Sequence, residues 1–129
     1  MRKAISEFVG TFTLAAVVVG SGIMAEKLSS DIGVQLLINA LATGAVLWLL
    51  ITLFAPLSGA HFNPVVTGIS YFRRELTFNL SMGYIVAQII GAITGTIFAN
   101  LIFNNSAIDI STKSRDGGNL LLSEFFATA

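Results

Sequence analysis

The stretch "LSGAHFNPVVTG", residues 57–68, places a histidine, an asparagine and a proline between two apolar segments that are each long enough to cross a bilayer. Ser58 and Gly59 favour the end of the preceding helix. Asn63 suits an N-cap, and Pro64 suits the first position of a helix, where no amide hydrogen is needed. The following letters "PVVTGISYF" have room for about two helical turns before a charged surface turn. This pattern predicts a short helix that begins at Pro64.

Three long apolar segments predict three transmembrane helices, at Ala4–Ala25, Val34–Ala55 and Ser81–Phe103. Hydrophobic residues make up 54% of the 129, charged residues only 11%, and the mean hydropathy is +0.82. Soluble domains carry about a quarter charged residues, so this chain could not cover a water-facing surface. The predicted fold class is an all-α membrane protein with three spanning helices, one re-entrant half-helix and the start of a fourth helix.

Composition excludes several other classes of function. The formal net charge is zero, so nothing indicates nucleic-acid binding. The chain has no cysteine and one histidine, which excludes disulfides and thiolate metal sites and disfavours a zinc site or a Ser/His triad. We therefore expect no enzyme, no metal and no cofactor. A cleaved signal peptide is the alternative for the first segment, but that segment exceeds the usual apolar core and carries Glu7 near its start.

The residues just before the short helix would form irregular backbone at membrane depth if the short helix is re-entrant. Non-helical backbone at membrane depth is tolerated only where it is buried in protein or lines a water-filled cavity. Residues 59–62 would then direct carbonyls into a pore, and the half-helix would aim its amide-rich N-terminus, with Asn63, at the membrane centre. Such a site hydrogen-bonds small uncharged solutes and repels cations. The alternative is an ordinary cytoplasmic loop with an Asn-Pro turn, although its flanks "GAHF" and "VVTGI" are apolar for a solvated loop.

Three motifs, in order along essentially the whole chain, resemble those of the major intrinsic protein family, the aquaporins and aquaglyceroporins. "SGAHFNPVVT" resembles the first signature loop of the family, in which an Asn-Pro-Ala motif opens the first half-helix. "EFVGTF" at residues 7–12 is similar to its first-helix motif, and "YIVAQIIGA" at residues 84–92 to its third-helix motif. The resemblance implies a cofactor-free channel that spans the cell membrane and forms homotetramers with one pore per subunit.

The resemblance also implies roles for individual residues. Asn63 and Pro64 match the signature pair whose amide donates to the permeating molecule. Glu7 and Gln88 match residues that brace the re-entrant loop; Glu7 at the membrane interface and Gln88 as a plain interhelical contact are the alternatives. Matching the positions whose carbonyls line the inner half of the pore are Gly59, Ala60, His61 and Phe62. The His61 side chain fits a vestibule or packing position better than a ligand or a pH switch.

Two positions depart from the family pattern. Val65 replaces the alanine of the signature, and it is bulkier where the two half-helices of the family meet. Thr43 occupies a second-helix position, twenty residues before Asn63, that often carries an aromatic residue of the selectivity ring. A small hydroxyl side chain there should widen the constriction. This favours solutes larger than water, such as glycerol, urea or undissociated metalloid acids.

The family pore has two inverted repeats, and we expect residues 1–129 to be the first repeat, with residues 120–129 as the truncated start of the second. "SEFVGTFT" at 6–13 and "SEFFATA" at 123–129 share Ser, Glu, Phe and Thr in the same register. Three hypotheses follow: a truncated half of a channel, a half-channel that pairs with another copy or a separate second half, or a non-conducting assembly subunit.

The basic residues predict the orientation of the chain in the membrane. Arg2, Lys3, Arg73 and Arg74 would share one side and lie close to the helix ends, where the positive-inside bias counts most. The opposite side would carry Lys27, Lys113 and Arg115. The bias is four residues against three, and it predicts a cytoplasmic N-terminus.

Overall fold

The computed structural model describes residues 1–108, 118–120 and 122–123, and residues 1–108 form four helices. These are α1 (Arg2–Leu28), α2 (Ile32–Ser58), α3 (Pro64–Phe72) and α4 (Phe78–Ile102). Three of them, α1, α2 and α4, are long and apolar enough to cross a membrane. The predicted all-α fold with three spans is confirmed, and each span extends a few residues beyond at least one of its predicted ends. Residues 118–120 and 122–123 are helical, and the rest of the predicted fourth helix lies outside the described residues.

The α1 and α4 helices run in the same direction and pack at close range through glycines. A Cβ atom on Gly91 would lie 2.7 Å from the Phe8 carbonyl oxygen, and one on Gly95 would lie 3.0 Å from the Phe12 carbonyl carbon. The absence of a side chain at both positions therefore lets the backbones approach. Small residues serve this purpose in membranes, where helix association depends on van der Waals packing. The Gly91/Gly95 pair thus acts within the chain.

Polar side chains join α1 to α2 and satisfy each other in an apolar setting. The Asn39 Nδ2 donates to the Val18 carbonyl at 2.7 Å and to the Ser21 hydroxyl at 3.0 Å. Nearer the connection, the Gln35 Nε2 donates to the Ser29 carbonyl at 2.7 Å. Most of the remaining side chains of α2 are apolar, and large ones such as Trp48 are mostly exposed. A water-exposed helix of this composition would be unstable, so this surface is suited to lipid or to further protein.

The α2 helix ends where Ser58 and Gly59 favour a helix end, three residues past the predicted span, and α3 begins after an irregular segment at residues 59–63. Gly59 adopts a left-handed conformation with φ of 94° and closes α2, whose last turn contains Pro56. The Asn63 side chain caps α3, with its Oδ1 accepting from the Val65 amide at 2.8 Å. Nine residues of helix reach about 14 Å, half the thickness of a hydrocarbon core. The predicted short helix is confirmed at its predicted bounds.

The two ends of the bundle carry different basic residues. The start of α1 and the end of α2 line one pocket, which includes Arg2, Lys3 and Leu57. At the opposite end, the Lys27 ammonium lies 3.4 Å from the Phe103 carbonyl and over its ring. A cation there complements the negative C-terminus of α4. Lys113 and Arg115, the other basic residues predicted for that side, lie outside the described residues.

Alanine at Gly95 should destabilise the helix pair, and alanine at Gly83 should not. Both substitutions remove a glycine from α4 and give a similar gain in helix propensity. The added Cβ meets the Phe12 backbone at position 95 and open space at position 83. We expect Gly95→Ala to lower the unfolding free energy by about 1–3 kcal/mol relative to Gly83→Ala, measured by denaturation in mixed micelles. Equal stability of the two variants would contradict the close α1–α4 packing.

Candidate pore-forming site

The Glu7 carboxylate lies at the centre of the site and is fully buried. Its Oε1 accepts hydrogen bonds from the Ser58 hydroxyl at 2.5 Å and from the His61 amide at 3.0 Å. Its Oε2 accepts from the Phe62 amide at 2.7 Å and from the Gln88 Nε2 at 2.8 Å. All four partners are donors, which matches the acceptor-only character of an ionised carboxylate. Glu7 therefore joins α1, the end of α2, the segment before α3, and α4.

The segment between α2 and α3 adopts a backbone conformation that its side chains disfavour. Besides Gly59, Ala60 has a φ of 52° and Phe62 a φ of 48°, both left-handed. Each non-glycine residue in this region costs about 1–2 kcal/mol. The hydrogen bonds that the consecutive amides of His61 and Phe62 donate to Glu7 hold the segment in this shape. Within residues 1–108, the carbonyls of residues 59–62 accept no hydrogen bond from the protein.

A second layer of hydrogen bonds connects this segment to α4. The Tyr84 hydroxyl donates to the Ser58 carbonyl at 2.7 Å. The Gln88 Nε2 also donates to the Thr67 hydroxyl at 3.0 Å, and the Thr67 hydroxyl lies 3.1 Å from the His61 Nδ1. Tyr84, Thr67 and Gln88 are almost completely buried. These hydrogen bonds fix the position of α3 along the axis of α4.

Three members of this network were not predicted from the sequence, namely Ser58, Thr67 and Tyr84. A signal was present for two of them. Tyr84 precedes Gln88 by four residues, so both lie on one face of a helix. Thr67 follows Asn63 by four residues and closes the "NPVVT" motif. No local pattern indicated that the Ser58 hydroxyl would reach Glu7.

The Phe62 side chain anchors the segment from the other side. Its ring packs directly over Gly10 of α1, where any side chain would collide with it. It also meets the Phe54 ring edge-on, with the ring centroids 6.0 Å apart. The ring is buried, although its backbone lies in the irregular segment. Gly10, the glycine of the "EFVGTF" motif, therefore makes room for the re-entrant segment.

The N-terminus of α3 lies near the middle of α4. Gln88, which bonds Thr67, follows Phe78 by ten residues, or about 15 Å of helix. This is about half the thickness of a hydrocarbon core. The Asn63 oxygen is used by the cap, so the cap leaves the two N–H donors of its amide free. Pro64 occupies the first helical position, and the Val65 side chain is more than half exposed.

Thr43 lies apart from this network. Its hydroxyl is buried and has no hydrogen-bond partner within the described residues. It belongs to α2, which packs against α1, whereas α3 packs against α4.

The described part of the chain also contains no group of three His, Asp or Glu side chains that could hold a metal ion.

The model of the major intrinsic protein family matches residues 1–129. The chain belongs to the major intrinsic protein family. It is 46% identical over 123 residues to the aquaglyceroporin AqpS of Rhizobium meliloti, covering 95% of this chain and 53% of that protein. Membership confirms the resemblance and identifies a channel-family protein that is integral to the lipid bilayer.

Two further relatives show the breadth of the family. Glycerol uptake facilitator protein-like 6 of Lactiplantibacillus plantarum is 36% identical over 100 residues, which are 74% of this chain and 41% of that protein. Aquaporin PIP2-7 of Arabidopsis thaliana is 36% identical over 98 residues, which are 75% of this chain and 35% of that protein. The chain thus spans between about a third and a half of the length of the relatives it matches.

Substitution of Glu7 by glutamine should loosen the segment before α3. The amide nitrogen of glutamine would face one backbone amide donor on whichever side it lies, His61 or Phe62, and would leave that donor unpaired. A buried donor without an acceptor costs about 1–3 kcal/mol, so the amide hydrogens of His61 or Phe62 should exchange at least about tenfold faster. Hydrogen exchange in lipid nanodiscs measures this. Glu26→Gln, an exposed position of α1, is the control and should leave these two amides unchanged.

Proposed function

We propose that this chain supplies one half of a transmembrane pore for the passive permeation of water and small uncharged solutes. The main support is the segment held by Glu7, in which the carbonyls of residues 59–62 accept no hydrogen bond within residues 1–108 and precede the N-terminus of α3, at the level of the middle of α4. Such a segment would be unfavourable against lipid, because unsatisfied backbone groups cost several kcal/mol there. Against a file of water or hydroxylated solutes the same carbonyls find partners.

The donors and acceptors of this site suit neutral molecules. A permeating hydroxyl group can donate to the carbonyls of residues 59–62 and accept from the Asn63 amide. The N-terminus of α3 carries a partial positive charge, which opposes the passage of cations. Pro64 and Val65 complete the tip of the half-helix. Glu7 and Gln88 contribute by holding the segment and have no contact with the solute in this scheme.

Thr43 supports a pore that admits more than water. A threonine fills less space than an aromatic residue, and its buried hydroxyl lacks a partner within the described residues. The smaller side chain leaves more room at this level of the proposed pore for an uncharged solute with several hydrogen-bonding groups. Glycerol, urea and undissociated metalloid acids have this chemistry. The names of two relatives, an aquaglyceroporin and a glycerol uptake facilitator, agree with this solute class.

We assign residues 1–129 to the first repeat of a channel, with the pore completed by a second repeat. The exposed side of α3, which includes Val65, Val66 and Ile69, is apolar and close to the candidate solute path. A second half-helix in the opposite orientation would cover it, supplied by the same polypeptide or by a partner half-channel. In this arrangement the complete channel is a homotetramer in the cell membrane with a cytoplasmic N-terminus.

A chimeric channel tests the proposal. Exchange of the 123 aligned residues of the Rhizobium meliloti aquaglyceroporin for those of this chain joins this site to a complete second half. We expect proteoliposomes with the chimera to conduct water and glycerol in stopped-flow light scattering, and Asn63→Leu to abolish this flux. A folded chimera without flux would contradict the pore assignment and favour a non-conducting assembly subunit. The 129-residue chain, reconstituted alone, tests pairing between copies.

Tryptophan at position 43 should separate water from glycerol. A large ring there would narrow the predicted constriction, and we expect glycerol permeability of the chimera to fall at least roughly tenfold while water permeability changes less. Thr52→Trp is the matched control, because Thr52 lies on the exposed side of the same helix with its hydroxyl bonded to the Trp48 carbonyl. Equal loss of glycerol flux in both variants would contradict a selectivity role for Thr43.

A further inference from the structure

The Thr67 hydroxyl differs from three other threonine hydroxyls in the helices of this chain. Those of Thr13, Thr52 and Thr94 donate to the carbonyl four residues earlier, at 2.7–2.8 Å. Thr67 makes no such bond within residues 1–108, although it is completely buried. Its two neighbours are the Gln88 Nε2 and the His61 Nδ1. Within residues 1–108, these two side chains are therefore the candidate partners of the hydroxyl proton.

Glu7 determines which atom of the Gln88 amide faces Thr67. The Gln88 Nε2 donates to the Glu7 carboxylate and to the Thr67 hydroxyl. Its Oε1 is buried and has no partner within the described residues. A flipped amide would pair Oε1 but would place it against an acceptor-only carboxylate. The charge of Glu7 thus keeps the amide nitrogen toward Thr67, and the Thr67 oxygen receives a proton donor from that side.

With one lone pair of Thr67 used in this way, the hydroxyl proton has a single acceptor within reach among residues 1–108, the His61 Nδ1. If Nδ1 carried a proton itself, two donors would face each other or the buried hydroxyl would lose its acceptor. We propose that Thr67 is a positioning residue that holds neutral His61 with a bare Nδ1 and its proton on Nε2. In this arrangement the Gln88 amide donates to the Thr67 hydroxyl, and the Thr67 hydroxyl donates to the His61 Nδ1. The buried charge of Glu7 sets these directions, because it orients the Gln88 amide.

This arrangement gives the permeation path a donor beside its acceptors. The His61 Nε2 has no hydrogen bond within residues 1–108 and is not fully buried. An Nε2–H group beside the free carbonyls of residues 59–62 can donate to the oxygen of a solute whose proton goes to a carbonyl. This consequence rests on the proposed function, whereas the tautomer of His61 follows from the hydrogen bonds alone.

Nitrogen NMR of the chain in lipid nanodiscs tests the tautomer. The chain has one histidine, so labelled histidine produces one pair of ring signals. We expect a protonated Nε2 and a bare Nδ1 that is shifted upfield by accepting a hydrogen bond. Because free imidazole side chains already favour the Nε2–H form by a modest margin, the position of the Nδ1 signal is the decisive readout. A protonated Nδ1 in the neutral side chain would overturn the proposal.

Three variants assign the effect to the Thr67 hydroxyl. Thr67→Val removes the hydroxyl with little change of shape, and the bare Nδ1 signal should move downfield. Thr67→Ser retains the hydroxyl and should leave the signal near its original position. Thr13→Val removes a hydroxyl bonded within α1 and should cause no shift. An unshifted signal in Thr67→Val, or the same shift in Thr13→Val, would contradict the proposal.

Two further observations keep the outcome decisive. Circular dichroism shows whether Thr67→Val still folds; if it does not, the tautomer and the Nδ1 position in the unsubstituted chain and in Thr67→Ser decide the question. The NMR result is independent of solute flux. If Nδ1 is bare and hydrogen-bonded but the chimera does not conduct, the pore is refuted and the role of Thr67 is retained. If the chimera conducts but Nδ1 is protonated, the pore is retained and the role of Thr67 is refuted.

Discussion

A single buried carboxylate organises this half of the bundle. Glu7 accepts from a hydroxyl, two backbone amides and a side-chain amide that come from three different parts of the chain. A buried charge is tolerated only when it is fully hydrogen-bonded, and the two backbone amides supply half of that requirement. In return, the segment that carries those amides is held in a left-handed conformation that Ala60 and Phe62 would not adopt unaided.

Close helix packing makes this arrangement possible. The carboxylate reaches Gln88 because α1 and α4 approach each other at Gly91 and Gly95, where a side chain would meet the α1 backbone. Gly10 then provides the space for the Phe62 ring on the other side. These glycines do not act through backbone flexibility, since they lie within regular helix. Their contribution is the absence of a side chain at a close approach.

The segment before α3 contains both hydrogen-bonded amides and carbonyls without a partner among the described residues. The amides of His61 and Phe62 are paired with Glu7, while the carbonyls of residues 59–62 remain free within residues 1–108. One side of the segment is therefore fixed to the protein. In the proposed pore, its carbonyls are the groups left for the solute. In an apolar membrane this separation favours a water-filled path, because free carbonyls are costly against lipid.

Local sequence patterns predict much of this protein. Segment length and hydropathy predict the three spans, and Asn63 with Pro64 predicts the start of α3, because capping and the missing proline amide are local effects. The predicted second span stopped at Ala55, whereas α2 continues through Pro56 to Ser58; a proline in the last turn removes one backbone hydrogen bond without ending the helix. The motifs "EFVGTF", "SGAHFNPVVT" and "YIVAQIIGA" were sufficient to identify the family.

The sequence by itself determined the number of spans, the short helix, the family and the candidates Glu7 and Gln88, since each depends on composition, capping or a contiguous motif. Only the tertiary structure decided that Glu7 meets groups 51 to 81 residues away and that Thr67 lies between Gln88 and His61. It also revealed left-handed backbone at two non-glycine residues, against their local preference. The physical reason is that a buried carboxylate can accept hydrogen bonds only from donors that are close to it in space. Helix packing, and not separation along the sequence, determines which donors these are.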